Sequence, residues 1–312
     1  MINKLVVVGI GLIGGSLAAA LKQRSGAREV IGIARRQETC DEALALAVVD
    51  RAFTSLEDVA AELGAGDVIF VAVPTLAVED TLRAIHSCVS PDVTVTDGAS
   101  VKGSVVKAAE QVWGFVPPQL VLGHPIAGSE KSGVAAASAE LYDHHRVILT
   151  PQSDTCPVHL ERIRGMWQLV GAEVLEMPVD EHDEVLAATS HLPHVIAYSL
   201  VDTLAHDAEN ENIFRYAAGG FRDFTRIASS DPVMWHDIMR ANKDSVLGAI
   251  DLFSQNLNSL RDSIEREDSE HMLGVFTRAK LARDRFSGVL AETSEAAGSE
   301  SSESDPKLTL SD

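Results

Sequence analysis

The sequence predicts an α/β fold, with a doubly wound, mostly parallel sheet in the N-terminal half and an all-helical domain after it. Three observations carry this reading. Short β-branched runs alternate with helical stretches from Lys4 to Met177, a glycine-rich turn separates the first run from the first helix, and strand signal all but ends after Pro178. A chain of 312 residues is long enough for two such domains.

Lys4 to Val8 is a strand that ends in glycines, and the alanine-rich stretch after it reads as a helix to Lys22. Glu29 to Ile33 is a second buried strand. Leu56 to Leu63 has a helical pattern, Asp67 to Val73 is a strand stopped by Pro74, and Val78 to Cys88 is helical. Val93 to Thr96 gives another strand, followed by a helix from Gly103 to Val112. Leu120 to Leu122 and Arg146 to Leu149 are short apolar strands. Val158 to Val170 is an amphipathic helix, and Ala172 to Met177 returns as strand. Residues 1–178 are therefore assigned to the sheet domain and residues 179–290 to the helical one, whose patterns break at Gly219-Gly220 and Asp231-Pro232. From Ala291 the chain is rich in Ser, Glu and Ala without periodicity, so residues 291–312 read as a disordered acidic tail.

Bulk charge narrows the partners. With 46 acidic against 26 basic residues the net charge is -20, which argues against nucleic acid and against an anionic membrane surface. An anionic substrate would then need locally clustered arginines, which screening over about 8 Å makes feasible. Cys40, Cys88 and Cys156 are odd in number and far apart, giving no disulfide framework or zinc spacing and fitting a reducing cytoplasm. The uncharged run from Leu5 to Leu21 has some look of a signal peptide, but its glycines interrupt any membrane span and have a better explanation.

That explanation is Gly9-Ile10-Gly11-Leu12-Ile13-Gly14, a G-x-G-x-x-G turn placed directly after a strand and opening a helix. In a Rossmann unit the first glycine permits the turn, the second lets backbone approach a pyrophosphate, and the third lets helix pack on strand. The helix N-terminus then offers N–H groups and a positive dipole to the phosphates. An NAD site usually places an acid about 20 residues on; here Ala34 is followed by Arg35 and Arg36. Two guanidiniums at that place lean towards the 2′-phosphate of NADP, while stacking on adenine or facing solvent is the other reading, so NAD or NADP stays open. The candidate cofactor-binding residues are Gly9, Gly11, Leu12, Ile13, Gly14, Arg35, Arg36 and Pro74.

Four further segments carry chemistry. Thr96-Asp97-Gly98-Ala99-Ser100-Val101-Lys102 and Gly123-His124-Pro125-Ile126-Ala127-Gly128-Ser129-Glu130 each follow a strand end, where open α/β sheets bind ligands. Ser190-His191-Leu192-Pro193-His194 and Gly219-Gly220-Phe221-Arg222-Asp223-Phe224-Thr225-Arg226 lie in the helical part. His191 and His194 with Asp183 and Glu184 suggest a metal at first sight, but no further ligands appear at recognised spacing, and none is assigned.

Together these strings resemble the prephenate dehydrogenase family, with its cyclohexadienyl and arogenate relatives, from about Lys4 to about Leu290. The resemblance implies oxidative decarboxylation of prephenate to 4-hydroxyphenylpyruvate with NAD or NADP in tyrosine biosynthesis, by a cytoplasmic homodimer whose helical domain is the dimerisation domain. It implies that His124 is the catalytic base, a role suited to a neutral imidazole, and that Ser100 hydrogen-bonds and orients it. Arg226 corresponds to the family's substrate-binding arginine, able to grip a carboxylate in bidentate fashion. Arg222, four residues earlier, is the candidate for the second carboxylate. His194 corresponds to a substrate-contacting histidine, Glu130 to a residue near the site entrance, and Trp235 to a tryptophan that approaches the partner subunit's pocket. No chorismate mutase segment or regulatory domain is expected from the ends of this sequence, which leaves direct competition by tyrosine at the active site as the expected feedback. Two alternatives stay in view: an arogenate or broad cyclohexadienyl dehydrogenase, and a dinucleotide-binding sensor without catalysis.

Overall fold

A computed structural model describes residues 1–129, 131–206 and 213–300. The chain packs as two compact units, Met1–Ala249 and a second that begins at Ile250. The first unit opens with β1 (Ile2–Val8), α1 (Leu12–Gln23), β2 (Ala27–Ile33), α2 (Gln37–Ala45), β3 (Arg51–Phe53) and α3 (Glu57–Ala60). It continues with β4 (Val68–Val71), α4 (Val78–Cys88), β5 (Thr94–Asp97), α5 (Lys102–Trp113) and β6 (Leu120–Val121). All six strands are parallel, in the order β3-β2-β1-β4-β5-β6, so the strand order reverses between β1 and β4. Ligands bind outside the carboxyl ends of strands at such a switch point.

Burial on both faces explains why the strands read as continuous apolar runs. Leu5 and Val7 of β1, with Val68 and Phe70 of β4, face a core that includes Leu17 and Leu21 of α1. Val6, Val8, Ile69 and Val71 face the opposite core, which holds Leu82 and Ile85 of α4 and Val105 of α5. The first core is completed by Trp167, fully buried, with its ring edge-on to Phe70 at 5.6 Å and to Tyr142 at 5.0 Å.

Trp167 belongs to a layer built from β7 (Gly123–Ile126), β8 (Arg146–Leu149), α6 (Pro157–Leu169) and β9 (Glu173–Glu176). These strands form a separate sheet, antiparallel between β7 and β8 and parallel between β8 and β9. Two expectations change here. Gly123–Ile126 is itself a strand, not a loop after one, because His124 pairs with Ile148 across the ladder. Short α2 and β3 were not legible, since Gln37–Ala45 is largely polar and Arg51–Phe53 is only three residues long.

The helical part comprises α7 (Val179–Leu186), α8 (Leu192–Ala205), α9 (Gly219–Thr225), α10 (Pro232–Ala241), α11 (Lys243–Glu265) and α12 (Ser269–Glu300). A π-helical turn, Ala187–His191, joins α7 to α8; such bulges are rare and frequent at functional sites. The elements α7 to α10 belong to the same compact unit as the sheet. In the second unit, α12 runs through Glu300, so residues 291–300 continue a helix where the sequence was read as unstructured. Residues 301–312 of the expected tail lie outside the described residues.

Candidate active site

The glycine turn lies at the switch point. Gly9 has φ +99°, and a Cβ there would stand 2.4 Å from the Ala72 carbonyl oxygen, so only glycine fits. A Cβ at Gly14 would stand 2.1 Å from the Gly9 oxygen and 2.7 Å from Val7 Cγ1, because α1 rests directly on β1. At Gly11, by contrast, an added Cβ meets nothing within 4 Å. That opening lies at the N-cap of α1, a helix start without a side-chain cap or an acid in its first turn. A pyrophosphate fits such a place: free N–H groups, a positive dipole and room for close approach. The Tyr142 hydroxyl donates to the Ile13 carbonyl at 2.6 Å and fastens the turn from the other side.

Arg35 and Arg36 follow the end of β2 and are exposed, Arg36 lying 3.5 Å from the Thr39 hydroxyl. Pro74 is exposed just past β4. The loop after β5 reaches this same region: Gly98 N–H donates to the Val71 carbonyl at 2.9 Å, and a Cβ at Gly98 would lie 3.5 Å from Ile13. The glycine turn and the loop after β5 are therefore neighbours.

Beside them a buried polar cluster is assembled. His124 Nδ1 lies 2.9 Å from His182 Nε2, and His182 Nδ1 lies 2.8 Å from Asp183 Oδ1. Asp183 also accepts the backbone N–H groups of Lys102 at 2.9 Å and Gly103 at 2.8 Å. The N-cap of α5 is Val101, which has no capping side chain, and the Asp183 carboxylate of α7 does that work from outside. Gly103 is glycine because a Cβ would stand 2.8 Å from Asp183 Oδ2. Lys102, fully buried, pairs with Asp97 and donates to the Gly123 carbonyl at 2.5 Å; Asp97 Oδ1 accepts Gly123 N–H at 3.2 Å. These bonds lock β7, and with it His124, against the end of β5.

On the helical side, Asn242 Nδ2 donates to the Asp183 carbonyl at 2.8 Å and lies 3.2 Å from His191 Nδ1. His194 stacks on Trp235 with centroids 3.5 Å apart and its Nδ1 on the Ser190 carbonyl at 2.8 Å. Trp235 is buried and packs with Val101 and Ile238. Ser100 is partly buried in the loop beside Val101 and makes no hydrogen bond to His124 among the described residues; His182 holds Nδ1 instead. Arg222 is exposed on α9 with Asp223 3.8 Å away, and exposed Arg226 opens the short turn that follows. Glu130 lies outside the described residues.

Burial sets the charge state of the cluster. It drives the His124 imidazole well below its ordinary value, and His182, Lys102 and His191 push the same way. His191 falls to about 4, chiefly by burial. Burial lowers His182 despite the opposing bond to Asp183, and lowers His194 despite its bond to Ser190. Burial alone would raise Asp183, but bonds from His182, Gly103 and Lys102 outweigh it and hold the carboxyl below its usual value. Near neutral pH the imidazoles are thus uncharged and Asp183 is ionised.

Among these residues the sequence reading singled out neither His182 nor Asn242, and it met Asp183 only as a metal candidate. The available signal was negative: α5 begins with Val101, a residue that cannot cap, which calls for a carboxylate from elsewhere. Among the described residues no group of three His, Cys, Asp or Glu is placed to hold a metal ion.

Comparison with known proteins agrees with this arrangement. The family profile "Prephenate dehydrogenase, nucleotide-binding domain" matches residues 17–176, and "Prephenate dehydrogenase, dimerization domain" matches residues 178–278. The glycine turn precedes the first match and stands on its own geometry. The chain is 39% identical to the prephenate dehydrogenase of Bacillus subtilis over 294 residues, 91% of this chain and 76% of that one. It is 35% identical to the cyclohexadienyl dehydrogenase of Zymomonas mobilis, covering 89% of this chain and 94% of the relative. The crystal structure of the Aquifex aeolicus prephenate dehydrogenase with hydroxyphenyl propionate and NAD+ superposes with a TM-score of 0.85 at 36% identity, over 92% of this chain and 99% of that one. With both halves matched and the nucleotide turn and histidine cluster in place, the chain belongs to the prephenate dehydrogenase family of nicotinamide-dinucleotide-dependent dehydrogenases.

Proposed function

We propose that this chain catalyses the oxidative decarboxylation of prephenate to 4-hydroxyphenylpyruvate and carbon dioxide with NAD+ or NADP+. The observation that carries the reading is His124: neutral, buried, and held by its Nδ1 beside the dinucleotide turn, so that Nε2 is left to act on a substrate. Gly9, Gly11, Leu12, Ile13, Gly14 and Pro74 would hold the nicotinamide dinucleotide, which would supply the acceptor for hydride from the ring carbon that bears the hydroxyl. His124 takes the hydroxyl proton as that happens. The ring carboxylate then leaves as carbon dioxide, and the electron pair of the broken C–C bond aromatises the ring. His124 returns its proton to the phenolate oxygen, which closes the cycle. Ser100, in the loop after β5, is proposed to orient His124 once substrate is bound, the role the family resemblance implies for it.

Two carboxylates on the substrate call for cations in an otherwise acidic protein. Arg226 is assigned the first and Arg222 the second, with His194 and Trp235 lining the site and Glu130 near its entrance. Asp223 beside Arg222 favours a second reading, an arogenate or cyclohexadienyl dehydrogenase, since an ammonium group would be welcome there. Tyrosine, which shares the ring and side chain, is proposed to compete at the same place. The protein is proposed to act in the cytoplasm as a homodimer. Leu252, Leu257 and Ile264 of α11 and Leu273, Phe276 and Leu281 of α12 are exposed apolar residues suited to a second copy. No helix among the described residues is long and apolar enough to cross a membrane.

Initial rates of nicotinamide reduction, with prephenate and arogenate crossed against NAD+ and NADP+, test the proposal. Turnover of prephenate well above arogenate is expected. Turnover of arogenate alone would move the assignment to the second reading, and binding of dinucleotide with neither substrate consumed would leave the sensor.

A further inference from the structure

We infer that His182 and Asp183 form, with His124, a directional hydrogen-bond chain that fixes which nitrogen of His124 is the base. The inference rests on the proposed role of His124, and it assigns His182 and Asp183 as positioning residues.

Direction follows from donor and acceptor bookkeeping along the chain. Asp183 Oδ1 already accepts the backbone N–H of Lys102 at 2.9 Å, and Oδ2 accepts that of Gly103 at 2.8 Å. A carboxylate in that setting is an acceptor only. His182 Nδ1, 2.8 Å from Oδ1, must therefore carry its proton and donate. In a neutral imidazole the other nitrogen is then an acceptor. His182 Nε2 accepts, so His124 Nδ1, 2.9 Å away, carries a proton and donates to it. His124 is left with its lone pair on Nε2. One carboxylate at the N-terminus of α5 thus sets the tautomer of a ring two residues along the chain of bonds, and it stabilises the imidazolium when His124 takes a proton.

Every charged or titratable neighbour is consistent with this polarity. Asp97 of β5 is engaged by Lys102 Nζ and by the N–H groups of Ala99 and Gly123, so it does not compete for either ring. Lys102 of α5 is directed to Asp97 and the Gly123 carbonyl. His191, on the π turn, has its Nδ1 on Asn242, whose other bond goes to the Asp183 backbone carbonyl. Asn242 thereby ties the π turn to the residue at the root of the relay.

Two substitutions separate the relay from simple packing. His182→Leu removes the acceptor for His124 Nδ1 but leaves Asp183 capping α5, whereas the Gln of His182→Gln can still accept. Asp183→Asn keeps one acceptor oxygen for three donors, His182 Nδ1–H and the backbone N–H groups of Lys102 and Gly103, so it disturbs the cap of α5 together with the relay and is the less selective change. Expected for His182→Leu is a kcat lower by about 100-fold, within the range of general-base contributions. KM and dinucleotide affinity should hold within about threefold, and His182→Gln should recover most of the rate.

A direct reading comes from long-range 1H–15N spectra of the full-length protein labelled at histidine, with the His124 signals assigned by His124→Asn. At neutral pH His124 should show a protonated Nδ1 and an unprotonated Nε2, and His182→Leu should lose that preference. A wild-type His124 protonated at Nε2, or a His182→Leu enzyme with unchanged kcat, overturns the relay. If the wild type consumes no prephenate, the functional proposal fails alone, and the tautomer in the spectrum still decides the relay.

Discussion

The two sides of the site are made in opposite ways. On the sheet side, the dinucleotide turn works through atoms that are missing: Gly9, Gly11 and Gly14 contribute backbone, space and close approach. On the helical side, His182, Asp183, His191 and Asn242 contribute side chains that reach His124 of β7: His182 bonds both His124 and Asp183, and Asn242 bonds His191 and the Asp183 backbone carbonyl. The first kind of site breaks when an atom is added, the second when one is taken away or recharged. The helical side also depends on the sheet side for its footing, since Asp183 caps α5 and Lys102 anchors β7. Substitutions on each side should therefore fail in different observables.

The largest effect belongs to the proposed base, His124. His124→Asn is expected to lower kcat on prephenate by about 10³-fold, equivalent to about 4 kcal/mol of transition-state stabilisation. Dinucleotide affinity, measured by fluorescence titration, should stay within about twofold, because the turn on the sheet side makes no use of the ring. Parallel loss of both would erase the division between the two sides.

Acid comes next. His191 has its pKa depressed from 6.5 to about 4 in the folded protein, and His124, His182 and His194 are shifted in the same direction. A group with a depressed folded pKa binds more protons when unfolded, so its contribution to stability is intact above pH 6.5 and lost as the pH falls towards the folded value. For His191 alone the loss between those limits is about 3 kcal/mol. Urea unfolding followed from pH 7 to pH 4 should show it, and His191→Asn should flatten the slope. The acid limb of kcat/KM should likewise fall well below pH 6.5, since His124 stays neutral there. A limb centred at the ordinary histidine value would mean that the ring is solvated during turnover.

The glycines give a sharper contrast within one side. Gly14→Ala forces a methyl to 2.1 Å from the Gly9 oxygen, and overpacking of this kind costs about 1–3 kcal/mol. Gly11→Ala meets no atom within 4 Å and should leave thermal unfolding within about 0.5 kcal/mol of wild type. Both should weaken dinucleotide binding, the first through a displaced helix and the second by filling the space of the pyrophosphate. Calorimetry without and with dinucleotide distinguishes them: equal destabilisation of the two free proteins would show that Gly11 is as packed as Gly14.

The same division governs what could be read from the sequence. Backbone sites leave local signatures, so the strand, the turn and α1 were legible as one contiguous string, and Val78–Cys88 was bounded to the residue by its punctuation. The strings around His124 and His194 were legible because they too are local. What escaped was the linkage between strings. Nothing near Val101 in sequence says that the cap of α5 arrives from residue 183 on α7, and nothing near His124 says that its Nδ1 partner is His182 and not Ser100. The register that makes Gly123–Ile126 a strand was hidden for the same reason, since its partner Arg146–Leu149 lies about 20 residues on, a long-range pairing that periodicity does not reach.

The smallest effect tests a part of the sheet side that does carry side chains. Arg35 and Arg36 stand at the end of β2 where an acid would serve the ribose of NAD, and both are exposed. Exposed guanidiniums contribute little unless a ligand engages them. If they grip a 2′-phosphate, replacing both by serine should weaken NADP+ binding by about tenfold, or about 1.4 kcal/mol, and leave NAD+ untouched. Equal losses for the two dinucleotides would place the arginines over the adenine ring, which both share. No change in either would return them to solvent, and the opening beside Gly11 would then bind the pyrophosphate without help from any cation on β2, in keeping with a turn that works by backbone alone.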